Sequence, residues 1–212
     1  MTVRYAAVLS VLPERPSERP SGPTPPGLDA DEFRLALLED TYEVVAGLEL
    51  VQPALVLSPP DQPDAEAITW PGTLIVREGT LPGAFAALHA AGAEEAALLA
   101  PDAPDLPQLL LGKLFRALGS APAAACQSDG GGLVALAARL PLPGWLDTAL
   151  KDTDLDVPDA LGRLRAAAPR PGQVPQGPSW HRLRTPGDLG FLDQGLEGWD
   201  NTRALLEGRR FG

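Results

Sequence analysis

The chain has 212 residues, 44% of them apolar, and a formal net charge of -11. That length suits one substantial core, and no run of about 18 apolar residues or basic-then-apolar leader is present, so the expectation is a cytoplasmic protein without a membrane partner. The acidic balance argues against a DNA or RNA partner, which needs basic surface to displace counterions from phosphates.

A single cysteine, Cys126, forms no internal disulfide and has no cysteine neighbours at metal-ligand spacing. It reads as a small buried hydrophobe. The 24 prolines and 22 glycines are spread through the chain, so stiffened loops join many short elements.

Residues 3–12 (VRYAAVLSVL) are nearly continuous in apolar side chains, as in a strand buried on both faces of a parallel sheet. Residues 13–26 (PERPSERPSGPTPP) form neither helix nor interior strand, because proline lacks the donor and fixes φ. Arg15 and Arg19 in this loop stand where an anionic group at the edge of the first strand would lie. Asp29 and Glu32 make a capping box, and Phe33, Leu37, Leu38, Val44, Val45 and Leu48 recur at helical spacing, so a helix is expected over 31–47. Short strands are expected at 53–57, 73–76 and 96–100, with a helix bearing Leu81, Phe85 and Leu88 before the last of them.

Asp105 and Gln108 occupy the N-cap and N3 places of a second capping box, ahead of a helix buried through Leu109, Leu110, Leu114, Phe115 and Leu118 and stopped at Gly119. Further strands are expected at 121–126 and 133–138, helices at 145–150 and 158–168, and a proline- and glycine-rich connection at 169–179. A last strand is expected at 180–184, then a turn of helix capped by Thr185 and Asp188, and a helix over 201–207. Strands alternating with helices imply βα units, hence one α/β domain, 1–212, with a mostly parallel sheet and helices on both faces. In such sheets ligands bind beyond the carboxyl ends of the strands. Asp102, directly after the central strand, is placed there and has no local capping role.

Four pieces in order carry a resemblance: LALLEDT at 35–41, DAPDLP at 102–107, Asp129-Gly130-Gly131, and TPGDL at 185–189. Together they resemble the GT-A-like nucleotide-diphospho-sugar transferase superfamily, nearest its small bacterial branch related to phospholactate and molybdenum-cofactor guanylyltransferases. The resemblance implies a Rossmann-like, three-layer fold and a nucleotide or nucleotide-sugar partner. It implies Asp102 as ligand of a phosphate-bridging Mg²⁺ or Mn²⁺, and Asp129, Gly130 and Gly131 lining an acceptor pocket. It also implies that Asp102 and the Asp129-Gly130-Gly131 loop face one cleft if the chain is a nucleotidyl- or glycosyltransferase.

Two departures from the family pattern point the other way. The loop after the first strand has no lysine, and Arg182-Leu183-Arg184 stands where relatives carry a second acidic metal ligand. Arg182 and Arg184 would repel a cation and attract phosphate directly. The alternative is therefore a member without catalysis, kept as a nucleotide-binding or interaction module.

Other groups are read more simply. His181 has no evident acid–base partner in the sequence, and His89 lies on a helix in a packing or solvent role. The alternating carboxylates Asp152, Asp154 and Asp156 lack the glycine and glutamate of a calcium loop and read as a solvated face. Trp180 and Trp199 suit either a subunit contact, such as a homodimer, or packing of the C-terminal segment.

Overall fold

A computed structural model describes residues 2–13, 22–170 and 172–208. Its centre is a six-stranded sheet in the order β3-β2-β1-β4-β6-β5, built from β1 (Arg4–Val11), β2 (Gln52–Ser58), β3 (Leu74–Val76), β4 (Glu95–Leu99), β5 (Ala123–Gln127) and β6 (Leu133–Arg139). The first four strands run parallel, while β6 is antiparallel to both β4 and β5. The chain moves outward from β1 through β2 to β3 and then returns to place β4 on the other side of β1. The carboxyl ends of β1 and β4 thus flank the point where a doubly wound sheet opens a crevice.

Strand burial follows the period of two. On β1, Tyr5, Ala7 and Leu9 enter one core while Ala6 and Val8 enter the other; on β4, Ala96 and Leu98 alternate in the same way with Ala97 and Leu99. Two cores back to back explain why these strands read as continuous apolar runs. One face is covered by α1 (Ala30–Ala46) and α4 (Gln108–Ala117), the other by α3 (Leu81–Ala90), α5 (Gly144–Ala149) and α6 (Ala160–Ala167). A short α2 (Pro63–Ala67) closes the loop after β2.

Helix α1 begins as expected: the Asp29 carboxylate accepts the N–H groups of Asp31 and Glu32 at 3.0 and 2.9 Å. Helix α4 does not. It starts at Gln108 with Pro107 as its N-cap, the Asp105 side chain turns inward instead, and Leu109, expected on the buried face, is exposed while Leu111 is buried. Residues 180–184 form no strand either; their backbone meets the β5 edge through one isolated bridge, Trp180 to Ser128. Trp199 is 2% exposed, donates its indole N–H to Asp193 O and lies under Arg203, so it packs the C-terminal segment.

The run at 35–41 acts as a fastening. The Thr41 hydroxyl lies 2.8 Å from Leu37 O and 3.1 Å from Pro101 O, joining α1 to the turn after β4. Asp40, fully buried, accepts the N–H groups of Asn201 and Thr202 at 3.0 and 2.7 Å, and so caps α7 (Asp200–Leu206) from another helix. Phe33, Ala36 and Leu37 pack with Leu183 and Leu205 beside it.

Burial pushes the Asp40 carboxyl up to about 6, against the two N–H bonds that pull it down. Its folded value lies above the unfolded one of 3.8, so its contribution to stability is full at acid pH and is lost as pH rises through about 6. Asp40→Asn, which mimics the protonated group, will lose this slope. In thermal denaturation the variant will gain on the wild type between pH 5 and pH 7.

Cys126 is buried as expected, with its sulfur 3.0 Å from Pro178 O and its thiol pushed up to about 12 by burial and then by Asp129. An exposed-thiol reagent will modify it only after unfolding, as absorbance at rising denaturant will show.

Candidate functional site

The crevice at the carboxyl edge is a cleft of about 880 Å³, within the range of small-ligand sites. Leu9, Val11 and Leu12 from the end of β1, Phe33 and Leu37 from α1, and Leu81 from α3 form its apolar walls, with Arg34 of α1 beside them. Asp102 and the segments 150–156 and 182–184 form its polar side. Pro13, Gly22, Pro23 and Thr24 of the proline-rich loop also line it; Arg15 and Arg19 lie outside the described residues.

At the polar side one guanidinium gathers the oxygens. Arg182, 7% exposed, directs Nε and Nη2 at the two carboxylate oxygens of Asp102, the second pair at 2.9 Å. Its Nη1 lies 2.7 Å from Asp156 Oδ1 and 3.1 Å from Leu133 O, with Leu155 O at 3.4 Å. Burial alone would weaken this cation, but Asp102 and then Asp156 outweigh it and hold the group above the ordinary arginine range. A forked pair of this kind fixes orientation as well as charge.

Arg184 is its neighbour along the chain. It donates through Nη1 to Gly131 O at 3.1 Å and reaches Asp156 at 3.4 Å, while its Nε is buried without a partner. Burial, then the charge of Arg182, makes it easier to deprotonate than an ordinary arginine. The following TPGDL stretch forms the expected capped turn: Asp188 Oδ2 accepts the N–H groups of Arg184 and Thr185 at 2.9 and 2.8 Å. These bonds outweigh burial and hold the Asp188 carboxyl below its usual range.

Asp129, Gly130 and Gly131 sit in the loop joining β5 to β6, at the same edge of the sheet. Gly131 N donates to Ser128 O at 3.0 Å, and Gly131 and Gly132 take φ of 90° and 76°. The glycine at 132 is forced twice over, since a Cβ there would lie 2.4 Å from Leu155 O. Asp129 and Gly130 line a second cavity of about 390 Å³, with Ser128, His181, Thr185, Asp188 and Phe191. Asp102 is not among the residues of that cavity, and none of Asp129, Gly130 and Gly131 lines the larger cleft. Arg182 and Arg184 line both and stand between them.

The donor set around Asp102 does not fit Mg²⁺ or Mn²⁺. Both carboxylate oxygens already face a guanidinium, and the next carboxylate, Asp156, faces the same group. A hard cation needs several free oxygens at close range, and among the described residues no group of three or more His, Cys, Asp or Glu is placed to hold a metal.

Three participants were hidden from the sequence. Asp156 belongs to the Arg182 cluster, although Asp154, which accepts the N–H groups of Asp156 and Val157, does read as a loop cap. Asp105 is no helix cap; its buried carboxylate accepts the Trp180 indole N–H at 3.1 Å and lies 2.9 and 3.0 Å from His181 Nε2. His181 therefore has an acid–base partner after all.

No known protein-family profile matches the sequence, and no curated protein matches it. Solved structures do. The chain is similar to a candidate nucleotide-diphospho-sugar transferase from Desulfovibrio desulfuricans G20, with a TM-score of 0.67, 17% identity and complete coverage of both chains. A 4-diphosphocytidyl-2C-methyl-D-erythritol synthase from Anaerococcus prevotii DSM 20548 gives 0.60 at 15% identity, covering 97% of this chain and 96% of that one. A CMP:2-keto-3-deoxy-manno-octonic acid synthetase complexed with CTP gives 0.55 at 11% identity, covering 98% and 99%. At these identities the likeness establishes a nucleotidyltransferase-like fold for the whole chain.

Arg182→Met will remove the cation and leave Asp102 facing an apolar group. The expected loss is on the order of 3 kcal/mol in denaturant unfolding, and the double variant Arg182→Met/Asp102→Leu will recover part of it because no unpaired carboxylate remains.

Proposed function

We propose that the protein binds a nucleotide or nucleotide sugar in the larger cleft and does so without a divalent cation, as a member of the transferase-like fold that lacks metal-dependent catalysis. The observation that carries this reading is the forked bond between Arg182 and Asp102, which occupies the carboxylate that a metal would need. The separation of Asp102 from the Asp129-Gly130-Gly131 loop into two cavities supports it, because group transfer needs donor and acceptor held together in one place. A shared fold alone does not transfer an activity.

The cleft suits such a ligand in its two halves. A base and ribose would lie across the end of β1, against Leu9, Val11 and Leu37. Phosphates would meet Arg34, whose buried Nε has no hydrogen-bond partner beyond a 3.5 Å ion pair to Asp31, together with Arg184 and Lys151. Arginine binds phosphate directly through a planar fork, with no metal between. The CTP complex among the similar structures supports a nucleotide as the ligand class; the finer likeness to guanylyltransferases rests on the four sequence pieces alone.

The transferase reading stands second, supported by the synthases among the structural neighbours. Calorimetric titration with GTP, CTP and UDP-sugars, with and without Mg²⁺ or Mn²⁺, separates the two. Binding of at least one nucleotide with an affinity unchanged by the cation, and no pyrophosphate release on adding acceptors, is expected. Metal-dependent binding abolished by Asp102→Ala restores the transferase; no binding of any nucleotide overturns both.

A further inference from the structure

Beside the two cores of the sheet lies a third and smaller one, in which Phe33, Ala36 and Leu37 of α1 pack with Leu183 and with Leu205 of α7. Three of these five side chains, Phe33, Leu37 and Leu183, also line the main cleft. The seat of α7 is therefore the back of the cleft wall. Leu183 stands between Arg182 and Arg184, and its N–H donates to Asp102 O at 2.8 Å, so the same seat fixes the segment that carries both arginines.

Helix α7 has seven residues, whereas an isolated helix needs about 12 or more to be stable in water. It keeps its form only while docked. Its first turn leaves N–H groups without helical partners, and the Asp40 carboxylate, fully buried on α1, takes those of Asn201 and Thr202. Latch and helix lie 161 residues apart in the chain, so undocking strips α7 of its cap and its apolar contact together.

The seam between the two helices is acidic. Glu39 and Glu43 flank Asp40 on α1, and partial burial pushes both carboxyls up, helped by the charge of Glu43 on the first and of Asp200 from α7 on the second. Asp200 is paired with Arg203 at 3.5 Å, while toward the sheet α1 presents the apolar Leu38, Tyr42 and Val45. Glu39, Asp40 and Glu43 thus all move in one direction. A carboxyl raised by docking favours the docked state fully at acid pH, and that preference is lost as pH rises through the raised value.

We propose that α7 is a clasp on the main cleft: it docks and melts as one unit, latched by Asp40, and its docking holds the apolar wall and the segment of Arg182 and Arg184 in place. Rising pH loosens it, because each proton released leaves a negative charge in a dry or like-charged seam. The clasp acts on the shape of the cleft and does so whichever ligand fills it.

Amide hydrogen exchange of the full chain, followed by NMR and corrected for the intrinsic pH dependence of exchange, reads the clasp directly. The Asn201 and Thr202 amides are expected to open together and far more often than those of Ala7 and Val8 in β1. Their protection will fall roughly tenfold from pH 5 to pH 7, the change carried by a carboxyl moved from 3.8 to about 6, and Asp40→Asn will lose most of that fall. Leu205→Ala will loosen α7 and, with it, lower the protection of the Leu183 amide. Glu43→Gln, which removes a charge facing Asp200 without touching the core, will do the reverse at pH 7 and keeps the comparison available if Leu205→Ala does not fold. The proposal is overturned if Asn201 and Thr202 open only together with β1, if their protection stays level from pH 5 to pH 7, or if a change in α7 protection in either variant leaves the Leu183 amide as it was. No nucleotide enters these readouts, so this proposal and the binding proposal fail separately.

Discussion

The carboxyl edge of this protein is organised by one buried cation. Arg182 arrives on an irregular segment near the C-terminus and is met by Asp102 after β4, by Asp156 before α6, and by carbonyls of Leu133 and Leu155. A guanidinium in such a place is costly to desolvate and is tolerated only because its donors are matched. Matching them draws together stretches that lie far apart in the sequence. The backbone bond from Leu183 N to Asp102 O, 2.8 Å, runs alongside, and Leu183 then turns into the small core under α1 and α7. The segment that carries Arg182 is in this way anchored on both sides.

The same cluster separates architecture from chemistry. The fold is nucleotidyltransferase-like along the whole chain, with the crevice beside β1. At the carboxyl edge, beyond β4, this chain sets two carboxylates around an arginine. The cleft beside this cluster has apolar walls and a polar side that carries both carboxylates and arginines.

Most of the regular elements were legible in the sequence because their signals are local. Apolar runs marked β1 and β4, the spacing of Phe33 to Val45 marked α1, and Thr185 with Asp188 marked the capped turn. Where a local signal had two uses, it misled. Asp105, three residues before Gln108, has the spacing of a helix cap, yet its carboxylate is used by Trp180 and His181, more than 70 residues along the chain. The alternation of Arg182 and Arg184 looked like a strand because both side chains do face one way, toward the edge of the sheet, although no ladder supports them. The pairing of Arg182 with Asp102 spans 80 residues, and nothing in either neighbourhood announces it. For Trp199 the sequence left a subunit contact and packing of the C-terminal segment both open, and only the fold shows Arg203 covering its ring.

The connection after α6 has a consequence for how the chain holds its outermost strand. Ala125 donates to Pro175 O, Gly177 and Trp180 donate to Ala125 O and Gln127 O, and Asp129 donates to Trp180 O. Residues 175–180 thus run beside β5 and take up its outward-facing hydrogen bonds, with prolines at 175 and 178 that offer no N–H of their own to a further chain. An irregular, proline-bearing strip performs the office of a hem. It finishes the sheet along β5, and it makes the arm that delivers the site arginines the same piece of chain that keeps that edge from pairing with a copy of itself.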